Sequence, residues 1–187
     1  MYKKYLYLIS KTMKERTKKN YEEYYEDLKV IGSGAFGVVY KGKEKGKGGL
    51  KAIKVIDIQK IKENLIDQYE GDIEEQFDLC IKGFKTEFEN MKICSLNNEN
   101  SVKCYEYFNN EDNFTIIMEL CDTNLSKVLT DRKIKYKKGF NSEEILEILK
   151  QLNKTFKLMK ENKIIHRDLK LENILIKYKD IKNIKNI

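Results

Sequence analysis

His166-Arg167-Asp168-Leu169-Lys170-Leu171-Glu172-Asn173 stands between the apolar pair Ile164-Ile165 and the apolar run Ile174-Leu175-Ile176. Apolar flanks of this length read as two short strands, with the charged and amide residues as the loop held between them. Such a loop can bring Asp168, Lys170 and Asn173 to one small volume. They offer a carboxylate to take a proton, an ammonium to pair with a phosphoryl oxygen, and an amide oxygen for Mg²⁺. Those are the groups that phosphoryl transfer requires. The competing reading makes His166, the only histidine in 187 residues, a core residue beside an ordinary charged turn.

Upstream context decides between the two. Leu28, Val30 and then Ile31-Gly32-Ser33-Gly34-Ala35-Phe36-Gly37-Val38-Val39-Tyr40 read as strand, glycine turn, strand. Gly32, Gly34 and Gly37 form G-x-G-x-x-G, a spacing shared with dinucleotide-binding turns that lead into a helix. Here β-formers follow, so the pattern predicts a hairpin whose bare backbone amides can approach nucleotide phosphates. In Leu50-Lys51-Ala52-Ile53-Lys54-Val55-Ile56, alternation puts Ala52 and Lys54 on one face, with the ammonium among apolar neighbours. An ammonium so placed is costly to bury unless an anion and a carboxylate compensate.

The order H-R-D-L-K-x-x-N-I-L at 166–175 closely resembles the catalytic loop of protein kinases. The glycine hairpin and the A-I-K lysine, Lys54, resemble that family's glycine-rich loop and its phosphate-pairing lysine. These pieces occur in the family order over about residues 24–180. The resemblance implies an α+β fold. A kinase-like small lobe, a five-stranded antiparallel sheet plus one helix, would be followed by the first, mainly helical part of the large lobe. Residues 1–23 would be a partly helical extension, 24–121 the small lobe, and 122–187 a partial large lobe with the catalytic loop at 166–173.

By the same resemblance the function is that of an ATP-dependent serine/threonine protein kinase, with ATP and Mg²⁺ as cofactors and a protein hydroxyl as acceptor. Asp168 would orient and deprotonate that hydroxyl, Lys170 would neutralise the moving phosphate charge, and Asn173 would hold Mg²⁺. Ile31, Gly32, Gly34, Gly37, Val39 and Ala52 would surround the nucleotide. Met118 would stand at the back of the adenine pocket, and Glu119-Leu120-Cys121 would form the hinge, where backbone groups read the adenine edge. His166 would pack as a loop anchor. Lys54 needs a carboxylate from a regulatory helix expected at 84–96, after an amphipathic insertion at 57–83. Glu87, beside Phe88, Met91 and Cys94, is the first choice, and Glu89, beside Ile93 and Leu96, the second.

Further elements follow from pattern. Strands are expected at 101–108 and 113–120, a short helix at 124–130 and a basic loop at 132–139. A longer helix opens with Asn141 as N-cap and Glu144 three residues on, and carries Ile145, Ile148, Leu149, Leu152, Phe156 and Met159 at helical spacing.

Two departures qualify the resemblance. Leu171 stands where the family usually has proline, and the fourteen residues after Asn173 contain no D-F-G, since Asp180-Ile181-Lys182 does not match it. The chain is therefore expected to be a piece of a longer kinase, an incomplete gene product, or a catalytically inactive kinase-like module that binds nucleotide or protein. Apolar surface on the helix at 142–162 is expected to be exposed.

Hydrophobic residues make up 41% of the chain, enough for a buried core, while 37 Lys and Arg against 30 Asp and Glu give a net charge of +7. Much of that excess sits at 11–19 and 133–138, read first as solvated faces. No interleaved aromatic and basic element argues for nucleic acid. Cys80, Cys94, Cys104 and Cys121 make no C-x-x-C pair. With neither a signal-peptide core nor a membrane-length apolar run, an intracellular, cytoplasmic setting is expected.

Overall fold

The computed structural model describes residues 15–17, 20–34, 37–68 and 71–178. Contacts divide the chain into two units, the first reaching to Ile93 and resuming at Lys103–Leu120, the second comprising Cys94–Val102 and the chain from Cys121 onward.

The first unit is built on a sheet with strands β1 (Glu15–Thr17), β2 (Tyr25–Gly34), β3 (Gly37–Glu44), β4 (Leu50–Asp57), β5 (Cys104–Asn109) and β6 (Asn113–Glu119), in the order β1-β5-β6-β4-β3-β2. β2 to β6 are the five antiparallel strands of a kinase-like small lobe. β1 is an addition: it comes from the extension and pairs parallel to β5. The extension was expected to be partly helical, and its described helical part is one 3-10 turn, Tyr21–Glu23, closed by an Asn20–Glu23 capping box. Residues 1–14 and 18–19 of the extension lie outside the described residues.

Strand alternation sorts the apolar side chains into two cores. On one face Ile56, Phe114, Ile116, Cys104 and Tyr107 meet Ile61 and Phe88 from the helices α1 (Ile58–Gln68) and α2 (Ile73–Ser95). On the other, Ile53, Ile117 and Phe108 are covered by Tyr21 and Tyr25, whose hydroxyl donates to buried Glu106 at 2.9 Å. Ile116 and Ile117 are neighbours in sequence and opposite in core.

The helix expected at 84–96 begins eleven residues earlier, at Ile73. Gly83 reads as a boundary because glycine costs about 1 kcal/mol against alanine inside a helix. Phe77, Cys80 and Phe84 pack on the first core from both sides of Gly83, so tertiary contact carries the helix across it.

In the second unit, α3 (Leu125–Tyr136) is capped by Asn124 and runs five residues into the stretch expected as a basic loop. Lysines near a helix C-terminus favour its carbonyl end, which explains the longer helix. α4 (Ser142–Glu161) opens with the Asn141–Glu144 capping box, and Glu144 also receives a two-pronged bond from Arg132, Nη1 at 2.8 Å and Nη2 at 2.9 Å. Ile145, Leu146 and Leu149 on α4 are exposed. A two-stranded ribbon joins β7 (Thr123–Asn124) to β8 (Leu175–Ile176). Of the two strands expected around 166–173, only the downstream one forms, because no described strand pairs with Ile164-Ile165. Among the described residues no helix is long and apolar enough to cross a membrane.

Candidate functional site

Two groups of candidate residues occur, one in each unit. In the first unit, register rather than sequence proximity assembles the group. Lys54 lies opposite Val39 on β3, and Ala52 lies opposite Met118 on β6. Directly opposed residues share a sheet face, so Val39, Ala52, Lys54 and Met118 form one patch on the face turned to α2. There Lys54 Nζ is 2.9 Å from Glu87 Oε1, the carboxylate that pairs with it in preference to Glu89. Phe84, Phe88 and Met91 face the core, which fixes the rotation of α2 and aims Glu87 at the sheet.

Gly34 and Gly37 pair across β2 and β3, and Gly32 pairs with Val39. Ala35 and Phe36, the tip of the hairpin, lie outside the described residues. A Cβ on Gly37 would sit 2.0 Å from the Val55 carbonyl oxygen, so only glycine lets β3 lie this close to β4. Among the described residues a Cβ on Gly34 would meet nothing within 4 Å. Ile31 is exposed on β2. Glu119 ends β6 with its amide given to the Lys103 carbonyl at 2.8 Å, so that amide is not free for an adenine edge. Cys121 belongs to the second unit and is half-buried.

In the second unit the loop leaves α4 through Ile164 N donating to Met159 O, and is tied down again at the start of α3. Leu125 N donates to Ile174 O, Asp122 N to Ile176 O, Tyr178 N to Asp122 Oδ2, and Ser126 Oγ to Glu172 Oε1. Sequence reasoning did not single out Asp122 or Ser126. Their signal is the Asn124 cap beside them, which places the start of a helix but not what docks on it.

Within the loop, Arg167 has φ +64° and Asp168 N donates to His166 O at 2.9 Å, closing a tight turn one residue wide. Such a turn is strained in an arginine, by about 1–3 kcal/mol, and strain of this kind collects at functional positions. It turns Asp168 toward Lys170 Nζ and Asn173 Nδ2, each 2.9 Å from Asp168 Oδ2. Asn173 Nδ2 also donates to the Asp168 carbonyl at 2.8 Å. The hydrogen bond from Lys170, then that from Asn173, hold the Asp168 carboxyl below its ordinary value, and Asp168 in turn raises Lys170. His166 is exposed, contrary to the packed anchor expected of it: no described element lies over this loop, and its role there is a carbonyl acceptor. Leu171 opens the 3-10 turn Leu171–Asn173 where proline would fit, so the substitution leaves the turn intact.

Residues 25–185 match the profile of the family described as protein kinase domain. This chain belongs to the protein kinase family. Serine/threonine-protein kinase TIO of Arabidopsis thaliana is 30% identical over 82% of the chain and 10% of its own length. Calcium-dependent protein kinase 4 of Plasmodium berghei is 30% identical over 86% of the chain and 26% of its own length. NUAK family SNF1-like kinase 1 of Mus musculus is 32% identical over 85% of the chain and 21% of its own length. The chain thus spans about a tenth to a quarter of these relatives. Both candidate groups fall inside the stretch that the kinase family profile matches.

Kinases use ATP with a divalent cation, and the residues fit the two unequally. Lys54, held by Glu87 and opposite Val39 on the glycine hairpin's second strand, suits nucleotide phosphates. For a metal, Asn173 offers Oδ1, since its amide nitrogen is spent on Asp168. Among the described residues no group of three or more His, Cys, Asp or Glu side chains could hold a metal ion.

Proposed function

We propose that this chain carries the phosphate-anchoring and proton-accepting parts of an ATP-dependent serine/threonine protein kinase. The reading rests on one observation above the rest: the Asp168 carboxylate, held by Lys170 and Asn173 at 2.9 Å each. Ionised and fixed, it can accept the proton of a protein hydroxyl as that oxygen bonds to the γ-phosphorus. The bond from phosphorus to the bridging oxygen then breaks, and ADP leaves. Lys170 neutralises charge on the transferring group, and Lys54 holds the nucleotide phosphates under the guidance of Glu87. Mg²⁺, when bound, would neutralise further phosphate charge, with Asn173 Oδ1 as one of its ligands. Lysine two positions after the aspartate and relatives named as serine/threonine kinases support that branch. Four free cysteines fit a reducing, intracellular setting.

A second reading, a kinase-like module that binds nucleotide without transferring phosphate, is favoured by the sparse metal ligands among the described residues. A radiolabel phosphotransfer assay on purified chain, beside calorimetric ATP titration, separates the two. Transfer abolished by Asp168→Asn supports the kinase. ATP binding with no transfer supports the module, and the absence of both overturns each.

A further inference from the structure

The last turn of α3 and the residues after it form a cationic exposed surface that the kinase reading leaves unused. Between Leu125 and Asn141 stand Lys127, Arg132, Lys133, Lys135, Lys137 and Lys138, with Asp131 as the one carboxylate. Arg132 is neutralised by Glu144. Lys133, Lys135, Lys137 and Lys138 have no carboxylate within ion-pair distance among the described residues. Residues 133–139 are all exposed, including Ile134 at 68% and Tyr136 at 58%. Lys137, at φ +56°, turns the chain out of the helix.

We infer that this stretch docks on an anionic phospholipid membrane surface. Lysine heads can reach lipid phosphates while their stems, Ile134 and Tyr136 occupy the boundary of the acyl region, where tyrosine is favoured. A lipid surface offers phosphates to the lysines and an apolar boundary to the exposed Ile134 and Tyr136. An acidic peptide would engage the lysines and leave the exposed Ile134 and Tyr136 without an apolar partner.

The test is co-sedimentation of the whole chain with vesicles of phosphatidylcholine alone and of phosphatidylcholine mixed with phosphatidylserine. The expected result is binding to the mixed vesicles only, weakening as salt is raised. Each Lys→Gln change at 133, 135, 137 and 138 should weaken partition about fivefold, and all four together more than about a hundredfold. Ile134→Ala with Tyr136→Ala should cost about tenfold without changing net charge. These positions lie outside both cores, and circular dichroism checks that the variants stay folded. A matched variant lacking Lys150, Lys154, Lys157 and Lys160 on α4 should keep most of the binding. Equal loss in that variant would mean that net charge alone is at work and would overturn the inference. So would equal binding to neutral vesicles, or lysine-dependent capture of polyglutamate with no vesicle binding.

Discussion

Lys54 Nζ and Glu87 Oε1 stand 2.9 Å apart although 33 residues separate them in sequence. Strand alternation turns Lys54 to the helix, and the apolar side of α2 turns Glu87 to the strand. With the side chains 34% and 44% exposed, the pair is worth at most about 1 kcal/mol of stability. Its value lies in where it puts the ammonium. Lys54→Ala should weaken ATP binding by about 1.5–3 kcal/mol, the range for hydrogen bonds to charged groups, with little change in melting temperature. Calorimetry giving equal affinities for variant and parent would remove Lys54 from the nucleotide site.

Asp168 should titrate below the ordinary aspartate value of 3.8. A carboxyl lowered in the folded chain favours folding above its unfolded value, and that contribution is lost as pH falls through the folded value. Carboxyl-carbon NMR should show the midpoint rising in Lys170→Met, and rising less in Asn173→Ala, following the order of the two hydrogen bonds. Between pH 8 and 5 Asp168 stays ionised, so a fall in phosphotransfer over that window would implicate another group.

Two glycines of one hairpin should behave differently. Gly37→Ala drives a methyl into the Val55 carbonyl and should destabilise the first unit by about 1–3 kcal/mol, the range for overpacking. Gly34→Ala meets no described residue within 4 Å and should leave stability within about 0.5 kcal/mol. Urea unfolding reads the difference, and equal stabilities would show that β3 can move away from β4 without cost.

Phe88→Ala tests whether the core holds the site. Phe88 is 1% exposed and meets Tyr107 edge-on at 5.0 Å, so its removal should cost about 3–5 kcal/mol. Because Glu87 adjoins it on α2, ATP affinity should fall as well. Lost stability with unchanged affinity would separate the Lys54–Glu87 pair from the packing beneath it.

The direction of Glu87 was legible because Phe88, Met91 and Cys94 recur at helical spacing, which names the buried side. The length of α2 was not, since Gly83 punctuates the sequence while contacts distant in the chain decide whether the helix stops. At 132–139 the lysines look like a loop by composition but suit a helix end by electrostatics. Asp168, Lys170 and Asn173 could be named as candidates from their order alone. The turn at Arg167 that brings them together could not, because a positive φ in arginine leaves no mark in composition. His166 shows the reverse failure: its residue type invited a buried role, and burial depends on what packs above the loop.

β1 gives the sheet an end it would otherwise lack. Its three residues pair with Tyr107, Phe108 and Asn109, and they lie before residue 25, where the kinase family match begins. A shortened chain that starts at Tyr25 would keep every strand of the recognised fold. It would also bare the outer edge of β5 and strip Tyr21 from the second core. Open strand edges recruit other strands, so such a chain is set to self-associate into intermolecular sheet. For this chain, the boundary of the family is not the boundary of a well-behaved molecule.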